Sequence, residues 1–131
     1  MSFKYSQKSR DILSTVDIRL QELFHEVIEV VDIRIVEGIR TLERQKELVA
    51  TGKSKTMNSK HLKGHAIDFV PMKDGGISYN INDCVFVAGI IKGIASQMNL
   101  NCKIRLGADW DSDNIVSDEK FLDAVHIELR E

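Results

Sequence analysis

Three residues have side chains that commonly bind a catalytic metal ion, and they lie in two separate parts of the chain. His61 and Asp68 are seven positions apart in the segment SKHLKGHAID, and His126 lies near the C-terminus in VHIEL. A catalytic zinc ion is typically held by three such side chains, with a fourth position left to water. Gly64 would provide a turn between the first two residues, and His126 would arrive from a neighbouring strand. The spacing alone is weak evidence, however, and the default interpretation is that these are three ordinary polar residues.

The segments around these residues predict the strands that would carry them. Residues 66–70 alternate, so that Asp68 lies on one face and the apolar Ile67 and Phe69 on the other, and Pro71 is expected to end this strand. Other runs rich in β-branched residues predict strands at residues 33–39, 77–79, 103–107 and 125–129.

Helices are predicted between the strands, from apolar residues at helical spacing and from capping residues. This order of helices and strands predicts an α+β domain with a small, mainly antiparallel sheet flanked by helices. The predicted helices cover residues 6–13, 17–31, 42–51 and 83–98, with Ser6, Asp17, Thr41 and either Asn80 or Asn82 as N-caps.

Composition limits the classes of protein to consider. At 131 residues the chain is long enough for one domain with its own core, and 43% hydrophobic with 29% charged residues is ordinary for a globular protein. A net charge of −2 and a pI near 6.1 argue against a dedicated nucleic-acid-binding protein. Cys84 and Cys102 are too few for a disulfide framework or a zinc ribbon, and are expected to be small buried hydrophobes.

No segment predicts an association with membranes. No window of the sequence approaches the roughly 18 to 20 apolar residues that a membrane span needs. Residues 1–10 are polar and lack the apolar region of a signal peptide, so synthesis is expected to end in the cytoplasm.

Several motifs together resemble the signature of the M15 family of zinc peptidases. This family includes D-alanyl-D-alanine carboxypeptidases and dipeptidases, and phage L-alanyl-D-glutamate endopeptidases. The resemblance rests on S-x-H-x-x-G-x-A-x-D at residues 59–68 and D-x-x-H at residues 123–126. It extends upstream to Gly38-x-Arg40 with Gln45, and to Leu106-Gly107-Ala108-Asp109-Trp110 before the last strand.

The resemblance covers essentially the whole chain. The Met1-Ser2-Phe3-Lys4 start and the short length look most like the endolysin branch, carried by phages of Gram-negative hosts. It implies a Hedgehog/D,D-peptidase-like fold and a single catalytic domain over residues 1–131, without a separate wall-binding domain.

Carried over position by position, the resemblance implies one zinc ion on His61, Asp68 and His126. His65 falls at a freely varying position and is expected at the surface or rim. Asp123 stands where the family has the general base, which would take a proton from water and pass it to the leaving amine.

Two positions depart from the commoner carboxypeptidase pattern, which has Glu at the base and Trp just before the last histidine. Here these positions are Asp123 and Val125, and both departures resemble the phage endopeptidase branch. Glu128 is an alternative base because it shares a strand face with His126, although a supporting or surface carboxylate would explain it as well.

The resemblance also assigns roles to three polar residues upstream. Arg40 follows a predicted strand, where a fixed guanidinium could stabilise the oxyanion that develops on the scissile carbonyl; a surface arginine is the alternative. Ser59 and Gln45 resemble positions that orient the substrate or Arg40.

The segment DWDSDN at residues 109–114 has oxygen donors at alternate positions, as calcium loops do. It lacks the glycine and the distal glutamate of an EF-hand, so a solvated acidic loop is favoured over a Ca²⁺ site. A response of activity or thermal stability to calcium would distinguish the two.

The resemblance implies a zinc-dependent peptidoglycan endopeptidase, an endolysin, that hydrolyses the L-alanyl-D-glutamate bond of the stem peptide with a zinc-activated water. The alternatives are a D-alanyl-D-alanine carboxypeptidase or dipeptidase of cell-wall remodelling, and an inactive zinc-binding domain of the same fold. It further implies a monomer made in the host cytoplasm without a signal peptide, which reaches the wall in the periplasm through a holin-type pore.

Overall fold

Four α-helices, a short 3₁₀ helix and five strands form the part of the chain that the structure, a computed structural model, describes: residues 3–54, 56–100, 103–109, 112 and 123–130. Their order matches the predicted α+β class. The elements are α1 (Gln7–Leu13), α2 (Ile18–Val27), β1 (Ile33–Glu37), α3 (Leu42–Ala50), the 3₁₀ helix (Lys60–Lys63), β2 (Ala66–Lys73), β3 (Gly76–Ile77), α4 (Ile81–Gln97), β4 (Ile104–Leu106) and β5 (His126–Leu129).

The strands form an antiparallel sheet in the order β1-β2-β5-β4, and β3 pairs with the end of β2. The register places Asp68 of β2 opposite Glu37 on one neighbouring strand and His126 on the other. An irregularity in β1 makes the first pairing possible, because the register passes over Val36 between Ile35 and Glu37. A single row across three strands therefore carries Glu37, Asp68 and His126.

The other face of the sheet holds the hydrophobic core. Ile67 and Phe69 flank Asp68 in β2 and, because side chains alternate along a strand, lie on the opposite face. There they join one cluster with Phe24 of α2 and Ile91 of α4, and the rings of Phe24 and Phe69 lie 6.2 Å apart. Each fully buried side chain of this size contributes about 1.5–3 kcal/mol. The core therefore anchors β2 and leaves its polar face for chemistry.

The structure corrects the predicted end of β2. Pro71 does not terminate the strand but lies opposite Ile33, and pairing continues to Lys73, where β3 joins. Proline lacks only its N–H, and the Pro71 carbonyl still accepts a hydrogen bond from Ser78.

Other element ends shift by a few residues. α2 ends at Val27 and β1 at Glu37, both before their predicted ends. Asn80 rather than Asn82 caps α4, since its side chain accepts from the Asn82 N–H. The 3₁₀ helix has no counterpart in the sequence prediction.

Among the helices of the described residues, none has the length and apolar character that crossing a membrane requires. Cys84 is buried, whereas Cys102 lies outside the described residues. Most of the acidic segment 109–114 also lies outside them, and the carboxylate of Asp109 accepts a hydrogen bond from Lys92 at 3.0 Å. The favoured interpretation of this segment, a solvated acidic loop, and the alternative of a calcium site both stay untested.

Candidate metal centre

His61, Asp68 and His126 converge although they come from distant parts of the chain. One ligand atom from each lies within 4.8 Å of the other two. His61 Nε2 is 3.3 Å and His126 Nδ1 is 3.0 Å from the same atom, Asp68 Oδ1. Both histidines are buried in the protein. The three side chains could therefore hold a metal ion.

The local backbone fixes His61 in one orientation. Ser59 caps the 3₁₀ helix by accepting from the His61 N–H at 3.2 Å, and Gly64 ends that helix in the left-handed region, with φ of 70°. The His61 carbonyl accepts from the Arg40 N–H at 2.8 Å. Its ring Nδ1 lies 2.8 Å from the carbonyl oxygen of Gly38, which can only accept, so Nδ1 carries the proton.

The unpaired Nε2 of His61 indicates whether the site suits a metal ion. With its proton on Nδ1, His61 presents a lone pair at Nε2, and this buried atom has no hydrogen-bond partner among the described residues. Buried polar atoms are nearly always paired. An unpaired imidazole nitrogen beside a carboxylate fits a metal ligand, and no alternative partner is provided by the described chain.

His126 and Asp68 are strongly coupled. His126 contacts Asp68 through Nδ1 at 3.0 Å and Glu128 through Nε2 at 2.9 Å. Burial disfavours the charged imidazole, but these two carboxylates outweigh it and raise the pKa of His126 to about 9. Burial likewise opposes ionisation of Asp68, yet the two histidines hold the pKa of its carboxyl well below the usual range. Without a metal ion, the site thus favours an ionised Asp68 carboxylate beside a positively charged His126 imidazole.

Asp123 lies in the wall of the same cleft, half-buried. Its N–H donates to the Gly107 carbonyl at 3.0 Å, and its own carbonyl accepts from the His126 N–H at 3.1 Å. Burial raises the pKa of the Asp123 carboxyl and the charge of Asp68 adds to this, against an opposing effect of His126. A carboxyl of raised pKa near a metal group can accept and return a proton.

Arg40 is not a surface arginine. Its side chain is 8% exposed, and its Nε and Nη2 bind the two carboxylate oxygens of Glu37 at 2.6 and 2.7 Å. Nη1 donates to Gln45 at 2.7 Å and lies 3.5 Å from Ser59 Oγ. Nη2 is 3.8 Å from Asp68 Oδ2. The guanidinium is thus fixed beside the metal group.

Gln45 and Ser59 occupy different positions relative to the cleft. Gln45 is fully buried, and its Nε2 donates to Ser54 and to the Thr56 carbonyl while its Oε1 holds Arg40. Of the two predicted possibilities, the contacts of Gln45 favour orienting Arg40. Ser59 lines the cleft and also caps the 3₁₀ helix.

The sequence prediction does not include Glu37, whereas it names Glu128 as an alternative base or a supporting carboxylate. Glu128 is 6% exposed, and its other oxygen accepts from Arg105 Nη2 at 2.9 Å. Its alternation with His126 along β5 was a usable signal, whereas the pairing of Glu37 with Asp68 depends on the strand irregularity. His65 lies outside the metal group, as predicted, but it is half-buried rather than at the surface, and its Nε2 lies 3.9 Å from Asp17.

An open cleft with a volume of about 690 Å³ gives access to this group. Lys53, Lys60 and Arg105 are among the residues that line it, and they add positive charge to a lining that contains four carboxylates, those of Glu37, Asp68, Asp123 and Glu128. The cleft is therefore large enough for a peptide, and its lining carries charges of both signs.

Two imidazoles and a carboxylate around one point, with a further carboxylate beside them, are typical of metal-dependent hydrolases. Within that class, the chain belongs to the phage L-alanyl-D-glutamate peptidase family, whose sequence pattern matches residues 1–130. It is 34% identical over 139 residues to the L-alanyl-D-glutamate peptidase of Escherichia phage T5, covering 98% of this chain and 99% of that protein.

A solved structure supports the same assignment. The crystal structure of the L-Ala D-Glu endopeptidase ChiX of Serratia marcescens matches with a TM-score of 0.79 and 26% sequence identity, over 96% of this chain and 90% of that one. The predicted family, its phage branch and the predicted fold class are thereby confirmed.

Proposed function

We propose that the protein is a zinc-dependent endopeptidase that cuts the L-alanyl-D-glutamate bond in the stem peptide of bacterial peptidoglycan. The observation that carries this proposal is the convergence of His61 Nε2, Asp68 Oδ1 and His126 Nδ1 in a chain of this family. Two imidazole nitrogens and one carboxylate oxygen suit zinc, and three protein ligands leave a coordination position for catalysis. When bound, zinc would supply an activated water and polarise the scissile carbonyl.

Asp123 is the proposed proton carrier. Its carboxylate accepts the proton of the attacking water and delivers it to the leaving nitrogen of D-glutamate. Its raised pKa supports this role, because a base whose pKa lies closer to neutrality returns its proton more readily. The hydrogen bond between its carbonyl and the His126 N–H ties it directly to the last ligand.

Arg40 is proposed to stabilise the negative charge that develops on the scissile carbonyl oxygen. Its Nε, one N–H of Nη2 and Nη1 are engaged by Glu37 and Gln45. The second N–H of Nη2 is on the side of Asp68 and can reach the substrate. Because the guanidinium is already held, little reorganisation is needed in the transition state.

The remaining predictions concern access to the wall. We propose that the catalytic domain acts as a monomer on the periplasmic peptidoglycan of a Gram-negative host. It would pass from the host cytoplasm through a pore formed by a holin-type partner. The similarity to a phage peptidase supports this route.

Digestion of purified peptidoglycan tests the function. We expect the zinc-loaded protein to release fragments with a new N-terminal D-glutamate, detected by mass spectrometry, and chelation to abolish this until zinc is returned. Asp123→Asn should lower kcat by about 100-fold or more while zinc affinity is unchanged. Asp11→Asn, on the exposed side of α1, is the matched control.

Each contrary outcome has a distinct meaning. Release of free D-alanine would assign a D,D-carboxypeptidase instead. A zinc-loaded protein that leaves peptidoglycan intact would refute the endopeptidase. Full activity of Asp123→Asn would place the proton carrier elsewhere.

A further inference from the structure

Glu128 has no role in the chemistry proposed above, yet both of its carboxylate oxygens are engaged within the cleft. Oε1 lies 2.9 Å from His126 Nε2, and Oε2 accepts from Arg105 Nη2 at 2.9 Å. The residue is 6% exposed. The β4–β5 register explains the second contact, because it sets Arg105 directly opposite Glu128. Because the Glu128 carboxylate is buried and both of its oxygens have hydrogen-bond partners, its position is fixed.

The contact at Nε2 decides which nitrogen of His126 faces the metal group. A neutral imidazole carries one N–H, and the hydrogen bond at one nitrogen determines the state of the other. When a metal ion takes the place of the proton on Nδ1, the carboxylate at Nε2 keeps the remaining proton there. The lone pair is then on Nδ1, the nitrogen 3.0 Å from Asp68 Oδ1.

We propose that Glu128 is a positioning residue that selects the Nε2–H tautomer of His126 and so presents Nδ1 to zinc, with Arg105 holding Glu128 in place. The inference rests on the proposed zinc site. It excludes Glu128 as the general base, because its oxygens lie at the ring nitrogen that faces away from the ligand cluster and are already engaged.

The two histidines then use opposite tautomers. His61 donates from Nδ1 to the carbonyl of Gly38 and presents Nε2, while His126 donates from Nε2 to Glu128 and presents Nδ1. A carboxylate acceptor increases the basicity of the coordinating nitrogen more than a carbonyl does. His126 is therefore the ligand whose metal affinity depends most on its hydrogen-bond partner.

Zinc affinity is the decisive measurement, because a general base would affect kcat and leave zinc binding unchanged. Zinc dissociation constants of the metal-free proteins are determined by competition with a chromophoric chelator, and circular dichroism checks that each variant is folded. Glu128→Ala should weaken zinc binding by about 10- to 100-fold. Glu128→Gln should lose less, because its amide oxygen can still accept from Nε2–H. Glu47→Ala, an exposed glutamate on α3, is the matched control and should bind as the parent protein does.

Two results would overturn the inference while leaving the proposed function intact. One is a Glu128→Ala protein that binds zinc as tightly as the control. The other is a Glu128→Gln protein that, although folded, binds no better than Glu128→Ala. Failure of the parent protein itself to bind zinc would instead refute the proposed function.

Discussion

Replacing Gly107 by alanine should remove activity without removing the metal group. Gly107 directly follows β4, and a Cβ added to it would overlap the carbonyl oxygen of Asp123 and lie 3.0 Å from the Asp123 Cβ. The Gly107 carbonyl accepts from the Asp123 N–H at 3.0 Å, and its N–H donates to the His126 carbonyl at 2.8 Å. The glycine is therefore required by the close approach of two backbone segments.

The size of the effect follows from that geometry. The Asp123 segment must retreat by roughly 1 Å to accommodate a methyl group, and a misplacement of about 1 Å in a reacting group can cost about 100-fold in rate. Loss of one or two of the backbone hydrogen bonds adds about 1–2 kcal/mol of destabilisation. His126 is also held by its pairing with Asp68 in β2, so zinc binding should fall much less than kcat.

Steady-state kinetics on an L-alanyl-D-glutamate peptide, zinc titration and thermal unfolding measure these effects separately. Gly89→Ala is the matched control, because a Cβ added to this exposed glycine of α4 would meet no heavy atom within 4 Å. It should be fully active and about 0.5–1 kcal/mol more stable. A Gly107→Ala protein with kcat within threefold of the parent would refute the claim that the close approach positions Asp123.

Two further predictions concern charged pairs. Glu37→Gln should lower kcat/KM by about tenfold or more, since hydrogen bonds to a charged group contribute about 1.5–3 kcal/mol. The zinc affinity of this variant should not change. A kcat/KM equal to that of the parent protein would contradict the role of Glu37 in fixing Arg40. Asp17, which caps α2 and pairs with Arg19 at 3.0 Å, has its pKa lowered to about 2, mainly by the hydrogen bonds from Arg19. Because the pKa in the folded protein is below the unfolded value of about 3.9, the stabilisation is complete above that value and is lost as the pH falls through about 2. Asp17→Asn keeps a capping side chain and should cost about 1 kcal/mol at pH 7 after allowance for solvent screening. Urea unfolding should show this difference shrinking on acidification, and a constant difference would exclude the ion pair as its source.

The parts of the site that a local pattern encodes could be predicted from the sequence. Alternation alone places Asp68 on the polar face of its strand, and residue type identifies Asp17 and Thr41 as helix caps, as the structure confirms. The convergence of His61 with His126 could not be derived from spacing, because it depends on which strands become neighbours. The family resemblance supplied that pairing.

Features that depend on irregular backbone or on tertiary contacts could not be predicted from the sequence. Glu37 meets Asp68 only because the register passes over Val36. Pro71 continues a strand that proline usually ends, since its missing N–H leaves the carbonyl free to pair. Arg40 is buried because Glu37 and Gln45 surround it. The resemblance implies the contact with Gln45, whereas no motif indicates the contact with Glu37.

The register of the sheet explains why the site can be both rigid and compact. One cross-strand row carries Glu37, Asp68 and His126, and the next row carries Ala66, Glu128 and Arg105. Residues of adjacent rows are two positions apart on the same face, so Glu128 lies beside His126 and can reach its ring. Ala66 lies opposite Glu128 and has no side chain long enough to compete for that space.

Regular strands and irregular segments hold different residues of the site. The strands fix Asp68 and His126 and, through the adjacent row, the tautomer of His126. His61 comes from the 3₁₀ helix and Asp123 from the segment that leads into β5. Both are secured by backbone contacts with glycines, His61 with Gly38 and Asp123 with Gly107. Substitutions at either glycine should therefore damage a ligand or the proton carrier individually, whereas substitutions of Asp68, His126 or Glu128 in the sheet rows should weaken metal binding.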